Sequence, residues 1–446
     1  MDLIAQLVAC ATATAADIKT FVAACQDNIS GNSGKPIRLP QDAPIELRQT
    51  KQCVLTDVVE LQRLLMGPAD LLQQLACHAQ LLACLHWLGH FQVLACIPQY
   101  DSAAFKDIAD LAGVPESQLS RIVRMTATFG FLYEPEPGRV AHSALSAGFV
   151  NNLPLLDAVM FLAGTAVPAA LHMPASTQRF HDSPLPSETA YNMASNSSAS
   201  FSNACEQRSQ LRRQWSAFWQ YGTTNVDGTL VDLLNSLQCA ERLRAEVGAV
   251  VEIGARSTTQ AMLIAKQFPL LQIFVQVKGT EPKSQSEWPK LPGCDALLAP
   301  TPLEGRVTVQ QVPTNSPQPV RDAVVYILHL NSLTTGSGAM ASEHILEELK
   351  HLVAVLKSNN SATLILTSGV IPELGSVNAR VEARARLRDL TLFQLTNQKD
   401  IEMSDIMKIL NKLSDNAGRL VLANKHCSPR SGDLALEIQY QAFARG

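Results

Sequence analysis

One segment constrains the fold more than any other: VVEIGARSTTQAMLIAKQFP, residues 250–269. An apolar run typical of a buried strand leads into a turn at Gly254, and a helical pattern follows. Doubly wound α/β domains begin in this way, and their turn usually carries several glycines that let the backbone approach a nucleotide. Only one glycine stands here. The segment therefore predicts the fold while placing its usual ligand in question.

The pattern of strand and helix continues to the C-terminus. Further strand-like runs are LQIFVQV, RVTVQQV, DAVVYILHL and SATLILTSG, and helical stretches such as SEHILEELKHLVAVLK lie between them. Two final runs, RLVLANKH and LALEIQYQAF, close the chain. Alternation of this kind predicts a mostly parallel sheet that is covered on both faces.

The N-terminal half reads as helical. Residues 1–30 form an amphipathic pattern, and residues 55–97 are apolar on more than one face with a break at Gly67. Residues 105–150 predict a helix-turn-helix with a small hairpin as its wing. The stretch 173–205 is rich in Ser, Pro and Asn and predicts a long or partly disordered loop. We expect segments at 1–54, 55–150, 151–240 and 241–446.

Length and charge exclude several classes of protein. A chain of 446 residues exceeds a single core, and a net charge of -4 disfavours a surface built for nucleic acid. The second helix of the helix-turn-helix carries only Arg121 and Arg124 as cations, so it predicts packing or dimerisation before DNA reading. Ten cysteines without a CxxC pair indicate a reducing, intracellular compartment. Neither a signal peptide nor an apolar run of membrane-spanning length is expected.

A group of possible metal ligands occurs in CHAQLLACLHWLGH. His86 and His90 are four residues apart and share a helical face, with Cys77, His78 and Cys84 nearby. No carboxylate or second cysteine pair accompanies them, so core packing is the preferred interpretation and no metal is predicted. A GxSxG nucleophile elbow and a GxxxxGKS phosphate loop are both missing from the sequence.

Several of these motifs carry a family resemblance. The winged helix followed by VVEIGA, DAVVYILHL and SATLILTSGVIPELG resembles S-adenosylmethionine-dependent O-methyltransferases with a dimerisation domain. The stretches LLACLHWLGHFQVLACIP, RVAHSALS, RQWSAF and RLRDLTLFQL resemble more specifically the fungal aflatoxin-cluster-type transcriptional co-activators, which are O-methyltransferase-like. The resemblance implies a winged-helix, dimerisation-like domain before a doubly wound, Rossmann-like, methyltransferase-type domain.

The residues of the implied methyltransferase site are altered. Glu252 and Gly254 fit the first motif, but Arg256 would cross the space needed by a methionine moiety, and Gln276 stands where an acidic residue usually binds the ribose. His329 matches the family's catalytic base, yet no carboxylate is expected beside it at the family's positions. We therefore predict no cofactor and no catalytic residue, with His329 a vestige.

The resemblance implies a non-enzymatic co-activator of a fungal polyketide gene cluster. It would act in the nucleus, with the cytoplasm as a second location, beside a zinc-cluster transcription factor that supplies the DNA specificity. A homodimer through residues 55–150 is expected, without membrane binding. The alternative is an O-methyltransferase, or a methyltransferase-fold enzyme that acts on a polyketide without methyl transfer, for which His329 and Glu252 would be the working residues.

Overall fold

The structure is a computed structural model. It describes residues 3–28, 45–223, 230–237, 240–245, 247–255, 258–278, 305–313, 316–330, 338–359, 361–367, 369–377, 379–427 and 434–443. The chain forms two compact units. The first contains residues 1–224 and 391–397, and the second contains residues 225–390 and 398–446. The four segments expected from the sequence stay a prediction.

The first unit is mostly helical. Its helices before the wing are α1 (Leu3–Asn28), α2 (Ile45–Leu65), α3 (Pro68–His90), α4 (Val93–Cys96), α5 (Phe105–Ala112) and α6 (Glu116–Ala127). Helix α2 ends just before Gly67, and Pro68 opens α3 at a position where a missing backbone N–H costs nothing. The break predicted at this dipeptide is confirmed.

The helix-turn-helix with a wing is also confirmed. Helices α5 and α6 are joined at Gly113, whose φ of 65° lies in the left-handed region that glycine adopts without strain. The wing is a three-stranded sheet in the order β1-β3-β2, formed by β1 (Ser102–Ala104), β2 (Leu132–Tyr133) and β3 (Arg139–His142). Arg124 donates to Glu134 at 2.8 and 3.0 Å, so one of the two cations of α6 is already paired with the wing.

The end of α3 and the residues after it contribute to an apolar core under the wing. Leu88, Val93, Leu94 and Ile97 are all buried in one cluster with residues of α5, α6 and the wing. Phe91 of the same stretch is 39% exposed, and the homodimer expected through residues 55–150 stays a prediction. Large apolar side chains are also exposed on the preceding helices.

The stretch 173–205 is the clearest departure from expectation. The loop prediction is wrong, because this stretch contains α10 (Met173–Phe180), α11 (Ala190–Ser195) and α12 (Phe201–Gln207). Thr189 and Ser200 cap α11 and α12, since each side chain accepts a backbone N–H at 3.2 Å. Ser200 is one of the serines that suggested a loop, and Ser and Thr side chains favour helix N-termini as well as turns.

The remaining helices of this unit surround an aromatic core. They are α7 (Ala144–Asn151), α8 (Leu153–Phe161), α9 (Val167–Leu171) and α13 (Ser209–Phe218), with π-helical segments at Leu162–Ala166 and Trp219–Thr223. Phe161 is fully buried, and its ring lies 5.3 Å from that of Trp215, 5.2 Å from that of Phe218 and 6.0 Å from that of Phe201. These contacts fix the packing of α8 against α12 and α13.

Two helices are long and apolar enough to cross a membrane by length and composition alone: Ile4–Gln26 and Leu153–Leu171. The first contains Asp17 and Lys19 and the second contains Asp157, so neither is an uninterrupted apolar run of the kind that the sequence is expected to lack. The second helix includes the fully buried Phe161 and belongs to the aromatic core of the first unit. Core helices of soluble proteins pass the same test, so this finding is weak evidence of a membrane segment.

The second unit contains a seven-stranded sheet in its described part, in the order β11-β12-β8-β7-β4-β5-β6. The strands are β4 (Gly248–Ile253), β5 (Leu271–Lys278), β6 (Val307–Val312), β7 (Val325–His329), β8 (Thr363–Thr367), β11 (Gly418–Cys427) and β12 (Leu434–Ala442). A parallel pair, β9 (Val370–Ile371) with β10 (Ile401–Glu402), lies beside it. The helices are α14 (Leu230–Ser236), α15 (Ala240–Ala245), α16 (Thr259–Gln267), α17 (Gly338–Ser358), α18 (Ala379–Thr396) and α19 (Met403–Lys412). The last part of α18, from Thr391, belongs to the first unit.

The pairing of the strands confirms the doubly wound fold. β4 pairs in parallel with both β5 and β7, so the strand order reverses at β4. β12 is antiparallel to β8 and to β11. Almost every residue of the central strands is buried, because helices cover both faces of the sheet. The carboxyl ends of β4, β5, β7 and β8 therefore meet at one edge, where such folds bind ligands.

Candidate functional site: the carboxyl edge of the sheet

Four of the residues singled out from the sequence lie at this edge. Glu252 and Gly254 come from the end of β4, Gln276 from β5 and His329 from β7. The register pairs Ile253 with Gln276 and His329 with Thr367, which places these strand ends side by side. The sequence-predicted positions are thus neighbours in the fold. Arg256, the fifth, lies outside the described residues.

A hydrogen-bonded chain runs through Glu252, His329 and Thr367. The Nε2 atom of His329 lies 2.8 Å from Glu252 Oε1, and its Nδ1 atom lies 2.8 Å from Thr367 Oγ1. Glu252 is 2% exposed, and the His329 side chain is 18% exposed. The neutral tautomer that satisfies both contacts donates Nε2–H to the carboxylate and accepts the threonine hydroxyl at Nδ1.

This chain overturns one expectation. The prediction that no carboxylate lies beside His329 is wrong, because Glu252 supplies it from the neighbouring strand, 77 residues earlier in the sequence. The sequence pairs Glu252 with His329 only in the alternative enzyme, and it does not predict the contact with Thr367. Strand alternation could have indicated the contact, since Glu252 and His329 each stand at the carboxyl end of an apolar strand.

The arrangement restricts what His329 can do. In this tautomer Nε2–H is donated to Glu252, and the one basic lone pair, on Nδ1, accepts the Thr367 hydroxyl, so His329 can take a proton from a substrate only if Thr367 turns away. The second carboxylate oxygen of Glu252, Oε2, is buried and has no hydrogen-bond partner among the described residues. The His329 imidazole is therefore oriented by Glu252, but both of its nitrogens are engaged in hydrogen bonds within the protein.

A second polar cluster is formed by Gln276, Gln310 and Gln318. The amide of Gln276 donates to Gln318 Oε1 at 2.7 Å and to Gln310 Oε1 at 3.3 Å, and its own Oε1 accepts from Gln318 at 3.0 Å. Gln276 is fully buried and Gln318 is 6% exposed. Gln310 and Gln318 were not identified from the sequence. Both amide hydrogens of Gln276 are used inside the protein, so its side chain is occupied by its neighbours.

The turn after β4 keeps its glycine for a backbone reason. Gly254 has a φ of 75°, in the left-handed region, and its N–H donates to the carbonyl of Gln276 at 2.8 Å. A side chain here would be strained whatever the turn binds. The glycine therefore fits a purely structural role.

The histidines of α3 stand apart as a separate group. The rings of His86 and His90 have centroids 6.4 Å apart, and burial raises the pKa of the Cys84 thiol. Among the described residues, no three His, Cys, Asp or Glu side chains come together as a metal site would require. The expectation that this helix binds no metal stays a prediction.

Solved structures similar to this chain are methyltransferase-fold proteins. A structure of LepI in complex with SAM matches with a TM-score of 0.64 and 15% identity, covering 96% of this chain and 99% of that one. The mitomycin 7-O-methyltransferase MmcR matches with a TM-score of 0.59 and 16% identity, covering 84% of this chain and 98% of its own. At these identities the likeness shows the fold alone.

The edge of the sheet can be compared with the needs of the ligand that such folds imply, S-adenosylmethionine. Doubly wound folds usually bind ribose hydroxyls through a carboxylate at the end of the second strand. Here that position is Gln276, whose side-chain amide donates its hydrogen bonds to Gln310 and Gln318. At this position the described residues do not fit the ribose.

Relatives found by sequence are much closer. A family model described as the trypacidin cluster transcriptional coactivator tpcD N-terminal domain matches residues 4–66. The monodictyphenone cluster transcriptional coactivator mdpA of Emericella nidulans is 44% identical, covering 96% of each chain. The aflatoxin cluster transcriptional coactivator aflS of Aspergillus flavus is 39% identical, covering 89% of this chain and 91% of its own. The chain belongs to the family of fungal transcriptional coactivators of biosynthetic gene clusters.

Proposed function

We propose that this protein is a transcriptional coactivator of a fungal secondary-metabolite cluster, and that it works without transferring a methyl group. The observation that carries the proposal is the 44% identity to a cluster coactivator over 96% of both chains. The arrangement at the sheet edge supports the second half. Gln276 is tied to two other amides, and both nitrogens of His329 are occupied by protein groups.

We propose as its partner a zinc-cluster DNA-binding regulator of the same gene cluster, and the nucleus as the compartment in which the two proteins act. The net charge of -4 leaves little electrostatic attraction for DNA, and Arg124 of α6, the second helix of the helix-turn-helix, is paired with Glu134. Direct and specific binding of a promoter is therefore not expected. The regulator supplies the sequence specificity, and this chain contributes protein contacts.

An enzyme on the same fold is the second candidate, favoured by one observation. Glu252 orients His329 at 2.8 Å, as a carboxylate orients a general base. If Thr367 releases Nδ1 in the presence of a polyketide, His329 could take a proton from a phenolic hydroxyl. This candidate and the coactivator differ in whether the cluster's transcripts depend on the protein.

The test replaces the chromosomal gene with variants and measures both pathway transcripts and product. His329→Ala and Glu252→Gln are expected to leave transcripts and product unchanged, whereas deletion of the gene lowers both. Arg124→Ala, far from the sheet edge in sequence, serves as the matched control for expression. Loss of product in His329→Ala at a normal protein level would establish the enzyme, and unchanged transcripts after deletion of the gene would remove the coactivator proposal.

Two binding measurements complete the test. Calorimetric titration with S-adenosylmethionine is expected to show no binding, and a one-to-one micromolar isotherm would contradict the proposal. Pull-down with the regulator is expected to capture the chain, and a promoter fragment should shift only when the regulator is present. Specific promoter binding by this chain alone would refute the assignment of DNA recognition to the partner.

A further inference from the structure

Helix α1 has two apolar faces, and among the described residues only one of them is packed against the rest of the chain. The inner face contains Leu7, Cys10, Thr14, Phe21 and Ala24, which are buried or half-buried. It packs on α2 through Cys25 of α1 and Leu47 of α2, which are both buried, and Phe21 and Ala24 pack around them. The sulfur of Cys10 also contacts the carbonyl oxygen of Asp57 at 3.8 Å, so the two helices form an antiparallel hairpin.

The second face is a continuous apolar stripe in contact with solvent. Its large side chains are 68% exposed at Ile4, 61% at Val8, 42% at Ile18 and 47% at Val22. Between them lie the exposed Ala11 and Ala15, so that the stripe consists of Ile4, Val8, Ala11, Ala15, Ile18 and Val22. We call this set the outer stripe.

The spacing of the outer stripe is that of a helix-packing seam. Successive members are separated by four, three, four, three and four residues, the alternation that keeps one face of a helix against a partner helix. The stripe is about 27 Å long and lies about 110° around α1 from the face that packs on α2. A helix with two seams at such an angle contacts two neighbours in a bundle.

The order of side-chain sizes identifies the second neighbour. The stripe reads large, large, small, small, large, large, so it is the same in both directions. In an antiparallel pair of two α1 helices, Ile4 would face Val22 of the second copy, Val8 would face Ile18, and Ala11 would face Ala15. Large side chains then interlock at both ends while the alanines let the two backbones approach at the centre.

We propose that the outer stripe binds the same stripe of a second copy of this chain, with a two-fold axis between Ala11 and Ala15. Such an interface is isologous, because residue i contacts residue j and j contacts i. A helix from an unrelated partner would not require this symmetrical order of sizes. The inference is independent of the proposed function.

The charges of α1 agree with this occupant. Asp17, Lys19 and Asp27 are the charged residues of the helix, and none belongs to the outer stripe. The flanking positions one residue after Ile4, Ala11 and Ile18 are Ala5, Thr12 and Lys19. The antiparallel arrangement brings Lys19 near Ala5 of the second copy, so it brings no like charges together. A membrane surface is a poorer match, since helices that lie on anionic membranes carry several Lys and Arg residues beside the apolar face.

The experiment compares two neighbouring alanines in the full-length chain. Ala15→Glu puts two unpaired carboxylates at the centre of an isologous interface, and we expect the dimer dissociation constant to rise by about 100-fold or more. Ala16→Glu adds the same charge one residue later, about 100° around the helix and off the stripe, and should leave the dimer unchanged. Both positions are exposed, so neither variant disturbs the monomer core. Light scattering over a dilution series gives the masses, and circular dichroism confirms equal helix content.

A mixing experiment tests the orientation of the two helices. Chains with Ala11→Lys and chains with Ala15→Glu should each be monomeric alone and should form a mixed dimer together, because position 11 faces position 15 of the partner. A parallel pair would leave both charges unpaired and would give no mixed dimer. That result would overturn the antiparallel arrangement.

The remaining outcomes each refute the proposal. A wild-type chain that is monomeric at micromolar concentration excludes the self-association, and an unaffected Ala15→Glu dimer places the interface on another surface. Flotation with neutral lipid vesicles that is lost in Ala15→Glu but kept in Ala16→Glu would assign the stripe to a membrane. A monomeric chain whose complex with the regulator is lost only in Ala15→Glu would assign it to that partner.

Discussion

Replacing Gln318 by methionine tests whether the amide cluster at the sheet edge is part of the protein's own packing. Gln318→Met removes the acceptor for Gln276 at 2.7 Å and the donor to its Oε1 at 3.0 Å. Gln276 is fully buried and keeps only the contact to Gln310 at 3.3 Å. A buried amide that loses its main partners costs about 1–3 kcal/mol, so we expect the second unit to lose about 2 kcal/mol of stability.

The assay is hydrogen exchange measured by mass spectrometry on peptides that cover β5. Because Gln276 lies in this strand, the free energy of opening of these amides reports the loss directly. The double variant Gln276→Met with Gln318→Met removes both partners and replaces them by apolar side chains of similar length. Its cost is expected to be smaller than the sum of the single variants by about 1–2 kcal/mol, because neither side chain is then left unsatisfied.

The outcome that would refute this reasoning is specific. If Gln318→Met changes the opening free energy of β5 by less than about 0.5 kcal/mol, the amide of Gln276 finds another partner at no cost. The side chain would then be available to a ligand, and the argument that the ribose position is filled by protein would fail.

Two further predictions concern charged residues. Arg388 and Asp400 form a buried ion pair, so Arg388→Met should lower the unfolding free energy measured by calorimetry by about 3–5 kcal/mol. The exposed Arg386 lies on the same helix, and Arg386→Met should lower it by less than about 1 kcal/mol. Equal effects of the two variants would refute the argument from burial. Burial, with the neighbouring Asp17, raises the pKa of Asp57 above 3.8, so folding takes up a proton and stability falls as pH rises from 3.8 through the raised pKa. Asp57→Asn should therefore stabilise the packing of α1 on α2 at neutral pH, and the amides of α1 should exchange hydrogen more slowly. Faster exchange would contradict the expected direction of the effect.

Much of the fold could be predicted because it follows from local periodicity. The strand, turn and helix around Gly254, the alternation that follows, and the helix-turn-helix closed at Gly113 each depend on residues that are near one another in sequence. The helices at 173–205 were missed because Thr189 and Ser200 cap helices with the same side chains that favour turns. Their assignment depends on packing against the aromatic core around Phe161.

The candidate site divides in the same way. Residue order is enough to show which residues stand at the ends of the strands, and to identify Glu252, Gln276 and His329 as departures from, or remnants of, a methyltransferase site. It also determined the spacing and the symmetrical sizes of the outer stripe. These properties follow from residue identity and the period of a helix or strand.

The contacts of those residues depend on the folded chain. Glu252 meets His329 across 77 residues of sequence, and Gln276 meets Gln318 across 42. Such contacts depend on which strands are neighbours in the sheet and on the register between them, and many strand orders are compatible with the same periodic pattern. The exposure of the outer stripe of α1 and the burial of Leu88, Val93, Leu94 and Ile97 likewise depend on packing. Burial is a property of the packed molecule, whereas periodicity is a property of the single helix or strand.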